Sequence, residues 1–391
     1  MSLQKVLVIN TKYRIFGGED SNIIDEINLL NKYFDVEYLE FNNSVKLGIH
    51  DLFAFLTNSN KSSNKKLVET IRRFNPDLAY IHNTWFKSNL GIFKLLNKEG
   101  IKTLHKIHNY RFDCSRYLLA SEHLKGNSQC PACGMEEKKV GFYNKYYSNS
   151  FIKSFFLSRY SKKYFKILKN DSLEILVLSK FQKDYLTNLG INSEKISIYP
   201  NPIEIKEENF KKYNPESESV VFAGRLVETK GIEEILKTWN ELNPENLTLK
   251  IIGTSETEEY LKKKYASPSV EFLGLLKNNE VKNIIKEAKA IITATKLFEG
   301  QPRVLLEASS YGVPSIYPSF GGMDEFFPEG YKLSFQQFDY KDLSRKISIL
   351  SDKNLLDTQS KEIIKFVSKK LNEKALINQL KSCYGQGITN A

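Results

Sequence analysis

The sequence predicts an α/β protein built from two doubly wound, Rossmann-like domains that face a central cleft. The chain has 391 residues, whereas single hydrophobic cores stop growing near about 250 to 300 residues. Short β-branched runs alternate with longer amphipathic stretches, a pattern typical of parallel sheets covered by helices. A polar, lysine- and glutamate-rich segment at 200–219 interrupts this alternation and has the composition of an interdomain linker.

The strand candidates fall into two series, one on each side of this segment. The first series lies at 5–10, 78–83, 102–109 and 173–179, and the second at 219–226, 248–253, 270–274, 290–295 and 314–318. Helical patterns follow at 21–34, after Ser179 as the expected N-cap, and from Gly231. We therefore predict domains at 1–199 and 200–370, with ligands bound at the carboxyl ends of their strands.

Composition narrows the class of protein. Lys and Arg outnumber Asp and Glu by 57 to 46, and this balance attracts nucleic acid, anionic membranes or phosphorylated substrates. The N-terminus lacks a basic leader and a cleavage site, and no apolar run approaches the roughly 18 residues that span a bilayer. Four cysteines are too few for a disulfide scaffold. We expect a cytoplasmic protein, and no nucleic-acid recognition motif accompanies the charge.

The stretch FEGQPRVLLEASSYGVPSI at 298–316 carries the strongest site signal. Pro302 suits a first helical turn, and backbone amides from there to Leu305 would form an anion site for a diphosphate. Glu299 precedes the helix and Glu307 lies inside it, where carboxylates accept hydrogen bonds from sugar hydroxyls. The alternative is an exposed loop acid and a structural ion pair.

The stretch FAGRLVETKGIEEILK at 222–237 predicts a second part of the same site. Gly224 ends a strand, and Arg225 and Lys230 precede the next helix. Two cations on a strand-to-helix loop can clamp a diphosphate and stabilise a departing nucleoside diphosphate. Surface residues that cap adjacent elements are the alternative.

These two stretches resemble glycosyltransferase family 4 of the GT-B fold, whose members carry E-x7-E within EGxPxxxLEAxxxGxP, as residues 299–314 do. In that family the first glutamate contacts the donor sugar and the second the ribose, which implies these roles for Glu299 and Glu307. The resemblance also implies a retaining hexosyltransferase that uses a UDP- or GDP-sugar, without a catalytic metal, cofactor or protein nucleophile. The absence of any Asp-x-Asp sequence agrees with this expectation.

The resemblance further implies which residues form the site. The catalytic set is Glu299, His108, Arg225 and Lys230. The donor-binding set is Gly17, Gly18, Gly224, Arg225, Lys230, Glu299, Gly300, Gln301, Pro302, Arg303, Val304, Glu307, Gly321 and Gly322. Of these, the Gly17-Gly18 pair is equally explained by a tight turn.

Three histidines lie at or near predicted strand ends of the first domain. Members of the family carry a T-x-H-[ND] loop here that reaches the donor sugar, which implies this role for His108. His105 is the better match if the strand ends earlier, and His82 is expected to be structural.

Cys114, Cys130 and Cys133 form C-x15-C-x2-C, a spacing that invites a zinc site. Similar glycosyltransferases often have another cysteine shortly after the C-x2-C, but none occurs here, and His123 could substitute for it. Three thiols are not four ligands, so three reduced thiols and no metal are the expectation.

The function implied is sugar transfer to a glycan or lipid-linked acceptor in cell-surface polysaccharide or lipopolysaccharide biosynthesis. By the resemblance the first domain binds the acceptor, through loops such as 43–66 and 110–150, the second binds the nucleotide sugar, and 371–391 returns to the first domain as a helix. The basic stretch 151–170 either contacts the inner face of the membrane or packs as an ordinary helix. A catalytically silent sugar-nucleotide-binding subunit and a GT-B-fold epimerase are the alternatives.

Overall fold

The computed structural model describes residues 4–12, 18–43, 54, 57–117, 119–134, 150–205 and 213–385. The chain forms two compact units, which we call unit 1 (Met1–Pro202 with Glu373–Ala391) and unit 2 (Ile203–Asn372). The described residues of each unit include one parallel six-stranded sheet with helices. The predicted α/β fold of two doubly wound domains is therefore confirmed.

The sheet of unit 1 has the strand order β2-β1-β3-β4-β5-β6. Its strands are β1 (Lys5–Lys12), β2 (Asp35–Asn42), β3 (Leu78–Ile81), β4 (Lys102–Lys106), β5 (Leu173–Val177) and β6 (Ile196–Ile198). The six central residues of β1 are all buried, as expected for a parallel strand that is covered on both faces.

The helices of unit 1 connect these strands. They are α1 (Gly18–Leu30), α2 (Lys61–Phe74), α3 (Gly91–Lys98), α4 (Arg111–Cys114), α5 (Ala120–Leu124), α6 (Phe151–Leu168) and α7 (Lys180–Asn188). Ser179 caps α7 by accepting a hydrogen bond from the Gln182 amide at 3.3 Å, which confirms the predicted N-cap.

The sheet of unit 2 has the strand order β12-β11-β10-β7-β8-β9. Its strands are β7 (Ser219–Ala223), β8 (Thr248–Ile252), β9 (Val270–Gly274), β10 (Ala290–Ile292), β11 (Ser315–Ser319) and β12 (Ser334–Gln336). The helices are α8 (Ile232–Leu242), α9 (Glu258–Tyr265), α10 (Asn278–Lys286), α11 (Arg303–Ser310), α12 (Tyr340–Ser348) and α13 (Lys353–Lys370). Trp239 of α8 is fully buried in the core of this unit.

The chain returns to unit 1 through α14 (Glu373–Gly385). Leu376, Ile377 and Leu380 of this helix are buried in the same hydrophobic cluster as Leu30 and Tyr199. An additional ion pair joins Lys32 to Glu373 at 2.6 Å on the surface. The last helix thus forms part of the core of unit 1.

None of the described helices combines the length and the apolar character that crossing a bilayer requires. Gly17 of the predicted glycine pair and residues 206–212 of the predicted linker lie outside the described residues.

Candidate functional site

The loop that contains Glu299 meets the loop that contains Lys230. Lys230 ends a short 3₁₀ turn (Glu228–Lys230) after β7, and Glu299 lies in the loop after the neighbouring strand β10. The Lys230 ammonium donates to Oε1 of Glu299, and the Thr295 hydroxyl donates to the same oxygen at 3.2 Å. The two side chains are 28% and 24% exposed, so ligands can still reach them.

Gly231 explains why these loops can approach each other. It has φ +69°, and a Cβ atom there would lie 2.0 Å from the Ala294 carbonyl oxygen. Only glycine tolerates both the conformation and the contact. The Lys296 amide donates to the Thr229 carbonyl at 2.9 Å and joins the loops further. Gly231 therefore allows the approach of Lys230 to Glu299.

The glycine loop 321–322 forms a third side of this site. The Gly322 amide donates to the Glu299 carbonyl at 3.2 Å. Gly321 has φ +65°, and a Cβ atom there would lie 3.4 Å from Cα of Phe298. The rings of Phe298 and Phe320 stack with centroids 4.9 Å apart. The structure therefore places Gly321 and Gly322 directly against the backbone at Glu299.

Glu307 lies one turn inside α11 and pairs with Arg303. The Arg303 Nε donates to Oε1 of Glu307 at 2.9 Å, and the two side chains are 14% and 10% exposed. Gly300, Gln301 and Pro302 are buried, whereas Val304 is half-buried. The second glutamate is thus held in position by a neighbour of the opposite charge.

The start of α11 offers fewer open amides than expected. Pro302 stands at the N-cap, just before the first helical residue, and has no amide proton. The Arg303 amide donates to the Gln301 carbonyl at 3.0 Å, and the Leu305 amide donates to the Pro302 carbonyl at 3.0 Å. Since Arg303 and Leu305 are already bonded, the predicted anion site at this helix start narrows toward Val304.

Gly224 and Arg225 lie at the carboxyl end of β7. The Gly224 amide donates to the Ile252 carbonyl at 2.9 Å, which ties the ends of β7 and β8 together. The Arg225 side chain is exposed. Among the described residues, no hydrogen bond or ion pair of this side chain is found. Of the two predicted clamp cations, Lys230 is therefore paired with Glu299 and Arg225 faces solvent.

In unit 1, the end of β4 separates the roles of His105 and His108. His105 lies within the strand and is buried. Its Nδ1 is 3.0 Å from the Ile81 carbonyl oxygen, which can only accept, so Nδ1 carries the proton. Its Nε2 then accepts from the Tyr164 hydroxyl. His108 follows the strand and is half-buried, so His105 is the structural histidine of the two.

His82 pairs with His108, a contact that no sequence pattern predicts. His82 follows β3, the neighbour of β4, and its Nδ1 lies 3.0 Å from Nε2 of His108. Burial lowers the pKa of both imidazoles well below 6.5, and the nearby Lys106 ammonium adds to this shift. Both rings are therefore neutral at neutral pH, with one acting as donor and the other as acceptor.

A buried ion pair beneath the two rings favours one arrangement of protons. Both carboxylate oxygens of Glu26 accept from Lys106, at 3.0 and 2.9 Å, and Tyr80 donates to Glu26 at 2.5 Å. Glu26 also lies 4.0 Å from Nε2 of His82, which favours a proton on that nitrogen. His82 then accepts from His108, and Nδ1 of His108 keeps an acceptor lone pair. Within the described residues this nitrogen has no hydrogen-bond partner.

These groups border a polar pocket in unit 1. It is lined by Glu19, His82, Asn83, Thr84, Trp85, Lys106, Ile107, His108, Asn109, Tyr160, Ser161 and Tyr164. Gly18, which begins α1, is exposed, and Glu19 beside it reaches the pocket. Of the pocket's histidines the sequence predicted only His108 as a site residue, and a further signal was Lys106, a charged residue in an otherwise buried strand.

Residues 205–366 match a protein-family model described as glycosyl transferases group 1. The match covers nearly all of unit 2, including Arg225, Lys230, Glu299 and Glu307. The stretches 222–237 and 298–316 therefore both lie within this one family match.

Curated relatives of low sequence identity extend the similarity into unit 1. An uncharacterized protein in the cps region of Klebsiella pneumoniae is 21% identical over 81% of this chain and 81% of its own length. An uncharacterized glycosyltransferase of Methanocaldococcus jannaschii is 22% identical over 58% of this chain and 61% of its own length. The amylovoran biosynthesis glycosyltransferase AmsD of Erwinia amylovora is 25% identical over 37% of this chain and 42% of its own length.

Solved structures share the fold over the whole chain. Sucrose-phosphate synthase from Thermosynechococcus elongatus has a TM-score of 0.71 at 16% identity and covers 99% of this chain and 100% of its own. Anabaena HepE in complex with UDP and glucose has a TM-score of 0.66 at 14% identity, with 98% and 100% covered. The fold is that of the GT-B glycosyltransferases, and the family match in unit 2 supports a glycosyltransferase.

Proposed function

We propose that the protein is a retaining, metal-independent glycosyltransferase. It moves a hexose from a UDP- or GDP-sugar to a glycan or lipid-linked acceptor in the biosynthesis of a cell-surface polysaccharide or lipopolysaccharide. The observation that carries this proposal is the convergence of Lys230, Glu299 and the glycine loop 321–322 at the ends of adjacent strands in unit 2.

The donor diphosphate is bound by cations and amides. Arg225 faces solvent at the end of β7 and is available for a bidentate contact, and Lys230 adds a point charge from the following turn. The Val304 amide, in the first turn of α11, is a further donor. These groups also stabilise the negative charge that develops on the departing nucleoside diphosphate, so the reaction needs no metal ion.

The glutamates position the rest of the donor. Glu299 accepts hydrogen bonds from hydroxyls of the transferred sugar, and Glu307 accepts them from the ribose. When the diphosphate takes over the Lys230 ammonium, the Glu299 carboxylate loses its present ionic partner and becomes available to the sugar. Binding of the phosphate thus prepares the sugar contact.

The pocket of unit 1 contributes a hydrogen-bond acceptor rather than a base that titrates near neutral pH. His108 is neutral and keeps an acceptor lone pair on Nδ1 for a sugar hydroxyl, while His82 fixes its tautomer. Because this nitrogen is buried, the contact requires a local movement that uncovers it. The sugar is transferred with retention of configuration, and the leaving phosphate oxygen takes the proton of the acceptor hydroxyl. No protein nucleophile is therefore required.

The names of relatives support the proposed pathway. The Erwinia amylovora relative is named for amylovoran biosynthesis. A Staphylococcus aureus relative, 25% identical over 50% of this chain and 52% of its own length, is named for capsular polysaccharide biosynthesis. We therefore place the chain in the cytoplasm, at the inner face of the membrane where such glycans are assembled.

A ligand panel tests the proposal. Thermal shift with UDP, GDP and their sugar conjugates identifies the donor, and an acceptor-dependent transfer assay follows, with product stereochemistry determined by NMR. We expect transfer without added metal that is abolished in Glu299→Ala and preserved in Glu329→Ala, whose side chain is an exposed acid of the same unit. Unchanged transfer by Glu299→Ala would refute the assignment. Donor binding without turnover would favour a silent subunit, and conversion of the free sugar nucleotide would favour an epimerase.

A further inference from the structure

A cluster of three metal-ligating side chains lies in unit 1, apart from the groups assigned to catalysis. The ligand atoms of His123, Cys130 and Cys133 all lie within 4.8 Å of one another. Nε2 of His123 is 3.2 Å from Sγ of Cys133. His123 and Cys130 are buried, and Cys133 is half-buried. Position 123 and positions 130–133 of the chain therefore direct their ligand atoms at one point.

Local structure holds each ligand in place. His123 belongs to α5, whose C-cap Lys125 adopts the left-handed conformation (φ +50°) and whose last residue, Leu124, is buried. The two cysteines belong to the turn Cys-Pro-Ala-Cys-Gly. Its last residue, Gly134, has φ +74° and donates its amide to the Cys130 carbonyl at 2.8 Å.

The same turn brings the sulfur atoms of Cys130 and Cys133 within 4.8 Å of each other. The thiolate is the form in which a cysteine binds a metal. Two cysteines separated by two residues, closed by a glycine in the left-handed conformation, can present both sulfur atoms to one ion.

The donor set selects the metal. Two thiolates and an imidazole suit Zn²⁺, whereas Mg²⁺ and Ca²⁺ prefer oxygen ligands. Structural zinc sites take four ligands. The described residues supply three, and the sequence carries Cys114 in the spacing C-x15-C-x2-C.

We propose that His123, Cys130 and Cys133 bind a structural zinc ion that fixes the segment 119–134 of unit 1. This proposal departs from the expectation of three reduced thiols without a metal, because His123 supplies a third ligand beside Cys130 and Cys133. This site is independent of the glycosyltransferase proposal, since none of its residues borders the pocket of unit 1 or belongs to unit 2.

Metal analysis of the full chain tests the proposal. We expect about one zinc per chain in protein purified under reducing conditions without chelator. Cys130→Ser, Cys133→Ser and His123→Ala should each lower the zinc content at least about tenfold. Cys383→Ser is the matched control, because Cys383 lies in α14 and bonds the Gln379 carbonyl through its thiol at 3.0 Å. This control should keep its zinc.

Two measurements on the unsubstituted chain keep the test decisive if variants fail to fold. A chelator should lower the melting temperature, and Zn²⁺ but not Mg²⁺ should restore it. Co²⁺ in place of zinc should give thiolate-to-metal charge-transfer absorption. Zinc below a tenth of the protein concentration, or a disulfide between Cys130 and Cys133 in freshly purified reduced protein, would overturn the proposal.

Discussion

The Lys230 ammonium and the Glu299 carboxylate are ionic partners, although 69 residues separate them in the sequence. Each belongs to a loop that follows one of two neighbouring strands, β7 and β10. Under the proposed function, the cation that binds phosphate and the carboxylate that binds sugar therefore neutralise each other before the donor arrives. In this proposal, donor binding replaces the ion pair by two contacts: Lys230 binds the diphosphate and Glu299 binds the sugar.

Substitutions of Lys230 and of Glu299 should have different effects on the affinity for the free nucleotide. Lys230→Met removes a phosphate contact, and we expect the affinity for the nucleoside diphosphate to fall about tenfold. Glu299→Gln releases the ammonium for the phosphate, so this affinity should be equal or higher while transfer falls roughly 100-fold. Calorimetric titration of the diphosphate and an initial-rate assay measure the two quantities.

Lys237→Met is the matched control for Lys230, because Lys237 is an exposed lysine of α8. It should bind the nucleotide as the unsubstituted protein does. If Glu299→Gln weakened the free diphosphate as much as Lys230→Met, exchange of partners would be the wrong description.

Glu307 should recognise the ribose hydroxyls. We expect the unsubstituted protein to bind a nucleoside diphosphate more tightly than its 2′,3′-dideoxy analogue, since carboxylate contacts with hydroxyls are charge-assisted. Glu307→Gln should lose most of this difference. Because Arg303 is the partner of Glu307, Arg303→Met is the comparison variant. It should retain the preference for ribose, whereas a loss of equal size in both variants would indicate a purely structural pair.

His82 should act on catalysis through His108. His82→Gln removes the ring that fixes the tautomer of its neighbour, and we expect kcat to fall roughly tenfold with little change in KM for the donor. His108→Gln should lower the rate further, because it removes the acceptor itself. Circular dichroism and melting curves control for folding. A rise in donor KM without a change in kcat in His82→Gln would contradict a positioning role.

His105 should make the protein less stable in acid. Burial lowers its pKa from 6.5 to about 4, so the unfolded chain binds a proton over this range before the folded chain does. The stabilisation is complete above pH 6.5 and is lost as the pH falls toward 4. Between pH 7 and pH 5 the free energy of unfolding should fall by about 2 kcal/mol more than in His105→Gln. Urea denaturation at the two pH values measures this difference.

The outer face of α6 should determine membrane attachment. Ile152 and Phe155 are 66% and 43% exposed, and the exposed Lys153 and Arg159 lie near them on the same helix. We expect the protein to float with anionic vesicles and Ile152→Glu/Phe155→Glu to stay in solution, because apolar insertion and charge act together. Ile24→Glu, at a residue 45% exposed on α1, is the control. Equal flotation of all three proteins would exclude α6 as the contact.

The fold was predictable because parallel sheets and their helices differ in periodicity. Strand predictions such as 219–226 and 248–253 overlap the observed β7 (Ser219–Ala223) and β8 (Thr248–Ile252). β2 was missed because Asp35–Asn42 carries three acids and lacks the continuous apolar run of a central strand. β2 is an edge strand and is less completely buried than a central strand, so its sequence contains more polar residues and is harder to recognise as a strand.

The site was only partly predictable. The motif placed Glu299, Glu307, Arg225 and Lys230 in one unit, but no local spacing reveals that Lys230 and Glu299 pair across neighbouring loops. In the same way, Glu26 of α1 and Lys106 of β4 lie 80 residues apart and meet only in the folded chain. The role of His108 depended on where β4 ends, and this end lies at Lys106. Long-range pairing is a property of the folded chain.

The return of α14 to unit 1 has a consequence for synthesis on the ribosome. Unit 2 is continuous in sequence, from Ile203 to Asn372, whereas unit 1 lacks Leu376, Ile377 and Leu380 until the final helix is made. The nascent chain therefore carries an incomplete first core through translation of the entire second half, with the surface around Leu30 and Tyr199 uncovered. Unit 1 therefore completes this core only after unit 2 has been synthesised.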